Sequence, residues 1–176
     1  MTRNQLDHIL RAAGAITNEG ELVVLGSQAI LGSQPDAPAE LHASMEADVF
    51  PMHSPEKADL IDGTMGELSP FHDTHGYYAH GITPDSAVLA EGWQKRLVRI
   101  QSPATHGVVG FCLCPADLAI SKLAAGREKD FAFVTALLKY RMVLPKNIEP
   151  LAAGLPQGMG ETVLTNLRIC RSQISR

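Results

Sequence analysis

Short runs of strand character fill the first two thirds of this chain, and helical periodicity takes over after residue 115. Glu21 to Leu25 (ELVVL), Met45 to Met52 (MEADVFPM), Arg96 to Ser102 (RLVRIQS) and Val108 to Cys114 (VVGFCLC) have the length and β-branched content of strands. Before them, Leu6, Ile9, Leu10 and Ala13 recur at helical spacing and predict an amphipathic helix over 3–16. Pro115 suits the first residue of a helix running to about Ala125. A second helix is predicted over roughly 128–140, with Phe131, Val134, Leu137 and Leu138 on one face. Pro145 closes that region, and two more helices follow, about 147–153 and 157–172. The layout is α+β: a small sheet flanked by helices over 1–114, then a helical C-terminal subdomain over 115–176, within a single compact unit.

Composition narrows the class further. The 176 residues suit one domain with at most a small subdomain, and 45% apolar content excludes wholesale disorder. The formal charge of −4 gives no general attraction to nucleic acid, though it leaves room for a local basic patch. No apolar run reaches the roughly 20 residues of a membrane span. The opening MTRNQLDHILRAAGAIT lacks a continuous apolar stretch of signal type, so no membrane anchor is expected and the cytoplasm is the expected location. Cys112 and Cys114 form C-x-C, which on a strand turns both thiols to one face, and Cys170 stands far away. Without a second pair at zinc spacing, free thiols in a reducing compartment are expected.

Three motifs carry potential chemistry. Gly26-Ser27 follows the first strand. Ser27 is a natural N-cap for a short helix, and the small residues would equally let backbone approach a phosphate. Glu46-Ala47-Asp48 lies on a predicted strand, so both carboxylates share one face about 7 Å apart, with Met45, Ala47 and Val49 on the other. Such a pair suits a divalent cation or a plain solvated strand face. The block Asp117 to Leu138 (DLAISKLAAGREKDFAFVTALL) crowds Lys122, Arg127, Lys129 and Asp130 around Gly126. Arg127 and Asp130, three apart, can pair on a helix face. On an unbroken helix Lys122 and Asp130 would stand about 12 Å apart, able to flank a long ligand such as a triphosphate, and a kink at Gly126 would bring them closer. The alternative is an exposed, charged helix start.

The segment Ser69 to Thr83 (SPFHDTHGYYAHGIT) alternates too little for a strand. His72, Asp73, His75, Tyr77, Tyr78 and His80 can form a loop packed over the sheet, line a base-stacking pocket or supply a general base. His72 and His75 with Asp73 can also ligate a transition metal. Trp93 reads as a packing residue beside a turn at Gly92.

Taken together, a Gly-Ser turn, an acid-x-acid pair on the next strand and a helical K-L-A-x-x-R-x-K-D block resemble the nucleotidyltransferase superfamily. The resemblance is nearest to the branch with the AbiEii-type toxins of toxin–antitoxin systems. GELSPFHDTHGYYAHGI and GWQKRLV also resemble a bacterial group of uncharacterised nucleotidyltransferase-like proteins, over nearly residues 20–140. The resemblance implies a small mixed nucleotidyltransferase-like sheet. It implies that Gly26 and Ser27 hold phosphates and that Glu46 and Asp48 hold Mg²⁺ carrying an NTP. Lys122 would contact the triphosphate, Asp130 would sit near the base or act in catalysis, and Arg127 would orient Asp130 or a phosphate.

The implied reaction is attack of an acceptor hydroxyl on the α-phosphate, with pyrophosphate leaving. RNA is a natural acceptor for that branch, docking on Arg96, Arg99, Lys122, Arg127, Lys129, Arg168, Arg171 and Arg176, and an antitoxin-like protein is a natural partner. Superfamily enzymes usually add a third carboxylate on a later strand, whereas Arg96 to Ser102 offers only Arg96 and Arg99. That departure keeps a second reading open: an inactive module of the same fold that binds nucleotide or a protein partner.

Overall fold

The computed structural model describes residues 1–174, so Arg176 of the expected docking surface lies outside the described residues. The chain forms two compact units, one of residues 1–86 and 97–113, the other of 87–96 and 114 onwards.

The first unit opens with helix α1 (Arg3–Thr17). Thr2 caps it by accepting from the Gln5 amide, while the Gln5 side chain accepts from the Thr2 amide at 2.7 Å. Leu6, Ile9, Leu10 and Ala13 form its buried stripe, as the spacing predicts. Strand β1 (Glu21–Val24) leads through a 3₁₀ turn into the short α2 (Ile30–Ser33), and β2 spans Glu46–Pro51. Helix α3 (Ala58–Met65) follows it. The histidine-rich segment resolves into α4 (Pro70–His75) and a strand, β3 (Tyr78–Gly81), not a loop. Strands β4 (Val98–Ile100) and β5 (Val109–Cys112) complete a mixed sheet of order β3-β2-β1-β5-β4.

Strand β1 lies at the centre, antiparallel to β2 and parallel to β5, and its Leu22, Val23 and Val24 are buried. Register then sorts the side chains into two faces. Leu22, Val24, Val49, Gly110 and Cys112 share one face, and Ala47 and Ala79 extend it. Helices cover that face. A side chain at Gly110 would strike Leu10 of α1, Cys112 meets Gly32 of α2, and a side chain at Gly81 would strike the Ala58 carbonyl of α3. The opposite face carries Glu46, Asp48, Tyr78 and His80. The predicted C-x-C pairing on one face does not form, because β5 ends at Cys112 and Cys114 is the N-cap of the next helix. All three thiols are free, and burial pushes that of Cys112 up to about 12.

The second unit is helical: α5 (Pro115–Ala125), α6 (Glu128–Lys139), α7 (Pro145–Ala153) and α8 (Met159–Ile174). Pro145 opens α7 instead of only closing what precedes it, since its missing N–H costs nothing in the first turn. Residues 93–96 are a 3₁₀ turn and not the start of a strand. Arg96 explains why this segment joins the helices. Its Nε and one terminal nitrogen donate to the two oxygens of Asp117, both at 2.7 Å. Cys114 Sγ donates to the same carboxylate, which is fully buried.

A buried carboxylate stripped of its partner is costly, by about 3–5 kcal/mol. Arg96→Met is expected to lose about that much in urea denaturation, and adding Asp117→Leu should recover most of it. An Arg96→Met protein as stable as wild type would show that the pair does not anchor the segment.

Candidate active site

The parallel pairing of β2 with β3 sets Glu46 opposite Tyr78 and Asp48 opposite His80. All four side chains therefore stand on the face opposite the one packed by α1, α2 and α3. His80 Nδ1 lies 3.1 Å from Glu46 Oε1 and 3.2 Å from Asp48 Oδ1. Tyr78 donates its hydroxyl to the other Glu46 oxygen at 3.3 Å, and the His72 ring lies against Tyr78 at 4.7 Å between centroids. Among the described residues, one atom from each of Glu46, Asp48 and His80 comes within 4.8 Å of the others, a grouping able to hold a metal ion.

Burial pushes the Asp48 carboxyl above its ordinary range, the Glu46 charge pushes the same way, and the His80 contact opposes both. Burial also raises the Tyr78 hydroxyl to about 12, with Glu46 adding to it, so it stays a donor at every physiological pH. Gly26 fixes the far side of Asp48. Its φ is +40°, and a β-carbon there would stand 1.8 Å from Asp48 Oδ2. Only glycine fits such an approach. Ser27 follows in the 3₁₀ turn, where Gly26 holds the cap position and no side chain caps it, so the expected Ser27 N-cap does not form. Gly26, Ser27, Glu46 and Asp48 thus belong to one neighbourhood of the first unit, since Leu25 N also donates to Asp48 O.

Lys122, Arg127 and Asp130 come together within the second unit. Gly126, at φ +64°, ends α5 and turns the chain into α6. The break brings Lys122 Nζ to 3.3 Å from Asp130 Oδ1, an ion pair instead of two posts flanking a ligand. Arg127 is the N-cap of α6 and not a helical residue. Its amide and its Nε both donate to Asp130 Oδ2, the latter at 2.6 Å. Burial works against the Asp130 charge, but the Arg127 hydrogen bond and the Lys122 and Arg127 charges overcome it and hold the carboxyl below its usual range.

Several residues of the expected basic surface are already engaged: Arg96 with Asp117, Arg99 with Gln101, and Arg171 with Glu149 at 3.7 Å. His72, His75 and Asp73 do not assemble into a metal site among the described residues. His75 instead joins His8, Phe71 and Tyr77 in a ring cluster, with His8 Nδ1 2.7 Å from the Tyr77 hydroxyl. Sequence reasoning names His80 as a pocket-lining or general-base candidate but does not set it beside Glu46 and Asp48. The signal for that placement was the two-residue alternation of Tyr78, Ala79, His80 and Gly81.

A five-stranded mixed sheet with Gly-Ser after its first strand and an acid-x-acid pair on the next defines a member of the nucleotidyltransferase superfamily. Residues 4–146 match the family described as "Nucleotidyltransferase of unknown function (DUF6036)", and the chain belongs to that family. No curated protein and no solved structure matches it.

Half-buried Asp48 and buried Asp130 call for opposite responses to neutralisation. Asp48 has a raised pKa, so its contribution to stability is full at acid pH and lost as pH rises through that value. Metal-free Asp48→Asn should therefore melt a few degrees above wild type at pH 7. Asp130 has a depressed pKa, so its contribution is present at neutral pH and lost as pH falls through the folded value. Asp130→Asn should melt below wild type at pH 7, with the gap closing in acid. Melting curves by circular dichroism at pH 7 and pH 3 check both signs.

Gly26→Ala must adopt a left-handed conformation and displace Asp48, a cost of about 1–3 kcal/mol. A thermal melt like that of wild type would contradict this account of Gly26.

Proposed function

We propose that this chain is a metal-dependent nucleotidyltransferase that moves a nucleoside monophosphate from an NTP to an acceptor hydroxyl. The observation that carries the reading is the pair Glu46 and Asp48 on the sheet face opposite α1–α3, beside the positive-φ turn at Gly26. The donor set fits a divalent cation: two carboxylates close together, one with its charge disfavoured by burial, and an imidazole within reach of both. Glu46 and Asp48 would hold Mg²⁺. When bound, it would neutralise charge on the phosphates during transfer.

The chain's own residues then position the reactants. Gly26 and Ser27 offer backbone without side-chain bulk to the phosphates. Tyr78 keeps Glu46 turned toward the site by donating to its other oxygen. In the transfer, the acceptor oxygen bonds to the α-phosphorus while the bond from that phosphorus to the bridging oxygen of the β-phosphate breaks. Pyrophosphate takes the electron pair, and the hydroxyl proton passes to water. An RNA hydroxyl as acceptor, and a role as the toxin half of a toxin–antitoxin pair with an antitoxin-like partner, follow from the resemblance to the AbiEii branch and belong to this proposal.

For Lys122, Arg127 and Asp130, the resemblance implies triphosphate and base contacts, while their mutual pairing supports a structural role. Lys122→Met separates the two. Lost NTP affinity at an unchanged melting temperature marks a binding residue, and a lowered melting temperature marks a structural one. A second reading, an inactive module that binds nucleotide or a protein partner, is favoured by one observation: the third group of the cluster is a histidine and not an acid.

Calorimetric titration of each NTP in Mg²⁺, into wild type and Asp48→Ala, tests the site. The expected result is binding that requires metal and weakens about tenfold or more in the variant, followed by labelled transfer to RNA acceptors. Binding without turnover on any acceptor favours the inactive module. Absence of NTP binding by the folded wild type overturns the transferase reading and leaves only a module that binds a protein partner.

A further inference from the structure

His80 is the one member of the cluster that the superfamily pattern does not supply, and its placement is specific. It stands on β3 in direct register with Asp48, with Ala79 and Gly81 on the helix-covered side. The strand therefore has no freedom to turn His80 elsewhere without exposing Ala79. Its Nδ1 sits 3.1 Å and 3.2 Å from oxygens of two different carboxylates. An imidazole nitrogen has one proton or one lone pair to offer, so it cannot make two full hydrogen bonds at once. Three donor atoms that converge in this way are spaced for a shared cation. Adjacent ligands of an octahedral ion with bonds of about 2.1 Å stand about 3.0 Å apart, close to the two spacings seen.

We propose that His80 is a metal ligand with Glu46 and Asp48, and that its imidazole makes this site bind Mn²⁺ in preference to Mg²⁺. The inference rests on the nucleotidyltransferase reading of the same residues. Mg²⁺ takes oxygen ligands and keeps its water, whereas imidazole favours first-row transition ions. Two carboxylates with one imidazole therefore select a cation that tolerates both, and Mn²⁺ is the member of that series closest to Mg²⁺ in its use of phosphate oxygens. Tyr78 and His72 support the arrangement from outside. Tyr78 holds the second Glu46 oxygen, and the His72 ring packs on Tyr78, so Glu46 presents its remaining oxygen toward His80.

The test uses the full chain with MnCl₂ and MgCl₂ as probes. Electron paramagnetic resonance counts free Mn²⁺ during titration, Mg²⁺ is measured by competition, and pulsed resonance reads nitrogen coupling to bound Mn²⁺. Wild type is expected to bind Mn²⁺ about tenfold or more tighter than Mg²⁺ and to show a nitrogen coupling. His80→Ala should lose the coupling and most of the preference, with Mg²⁺ affinity nearly unchanged. His80→Asp should restore Mn²⁺ binding without the coupling and with a smaller preference. If His80→Ala does not fold, His80→Asp and the wild-type coupling decide. Mn²⁺ bound by wild type without nitrogen coupling, or with a coupling that His80→Asp retains, overturns the role of His80 and leaves the nucleotidyltransferase reading standing. Wild type that binds neither ion, alone or with a non-hydrolysable NTP, overturns both.

Discussion

Two carboxylates held side by side and partly out of water repel each other, and the first unit is organised around keeping them so. The two-residue period of β2 places Glu46 and Asp48 on one face, and register sets that face opposite α1, α2 and α3. Pairing with β1 is antiparallel through Leu22–Pro51, Val23–Phe50 and Val24–Val49, and pairing with β3 is parallel. A slip of one residue in β2 would turn both acids into the core and expose Ala47 and Val49. The apolar burial of those two residues is therefore what holds the charged pair outward. Core and candidate site are two faces of the same six residues.

The second unit treats its buried acids in the opposite way. Asp117 receives two hydrogen bonds from Arg96 and one from Cys114, and Asp130 is met by Lys122 and Arg127. Both are answered within the unit and serve to tie segments together. Asp48 differs: its charge is disfavoured where it stands, its neighbour Glu46 makes matters worse, and a histidine only partly compensates. Strained electrostatics of this sort mark places where something further binds, whereas satisfied pairs mark architecture. The contrast supports the proposed site on the sheet face of the first unit.

The legible and illegible parts of the sequence divide along physical lines. Strands with large β-branched residues announced themselves, as did helices with four buried positions at regular spacing. Glu46 and Asp48 were legible because alternation alone fixes their common face. Strand β3 was not, since its inward positions are Ala79 and Gly81, which carry almost no hydrophobic signal. They are small because the α3 backbone presses on the strand: a side chain at Gly81 would meet the Ala58 carbonyl at 2.0 Å. The packing that hid the strand also hid the register that sets His80 beside Asp48. The Lys122–Asp130 pair depended on a helix break at Gly126 whose angle periodicity cannot supply. Ser27 resembled a cap, but the positive φ of Gly26 sends the chain into a 3₁₀ turn with different geometry.

An imidazole in this cluster also changes its charge balance. Three carboxylates within 4.8 Å on a partly buried face would carry three negative charges before any cation arrived, and each would raise the cost of the others. Two carboxylates with a histidine in place of the third acid would carry one negative charge fewer, which a single divalent ion would come closer to cancelling. In the proposed function the loaded site would then be closer to neutral, and an incoming triphosphate would meet less repulsion from these ligands. The same substitution lowers the cost of the metal-free fold, since fewer like charges are held together. Replacing an oxygen donor with nitrogen thus shifts which cation fits while easing the electrostatic burden on the strand that displays it.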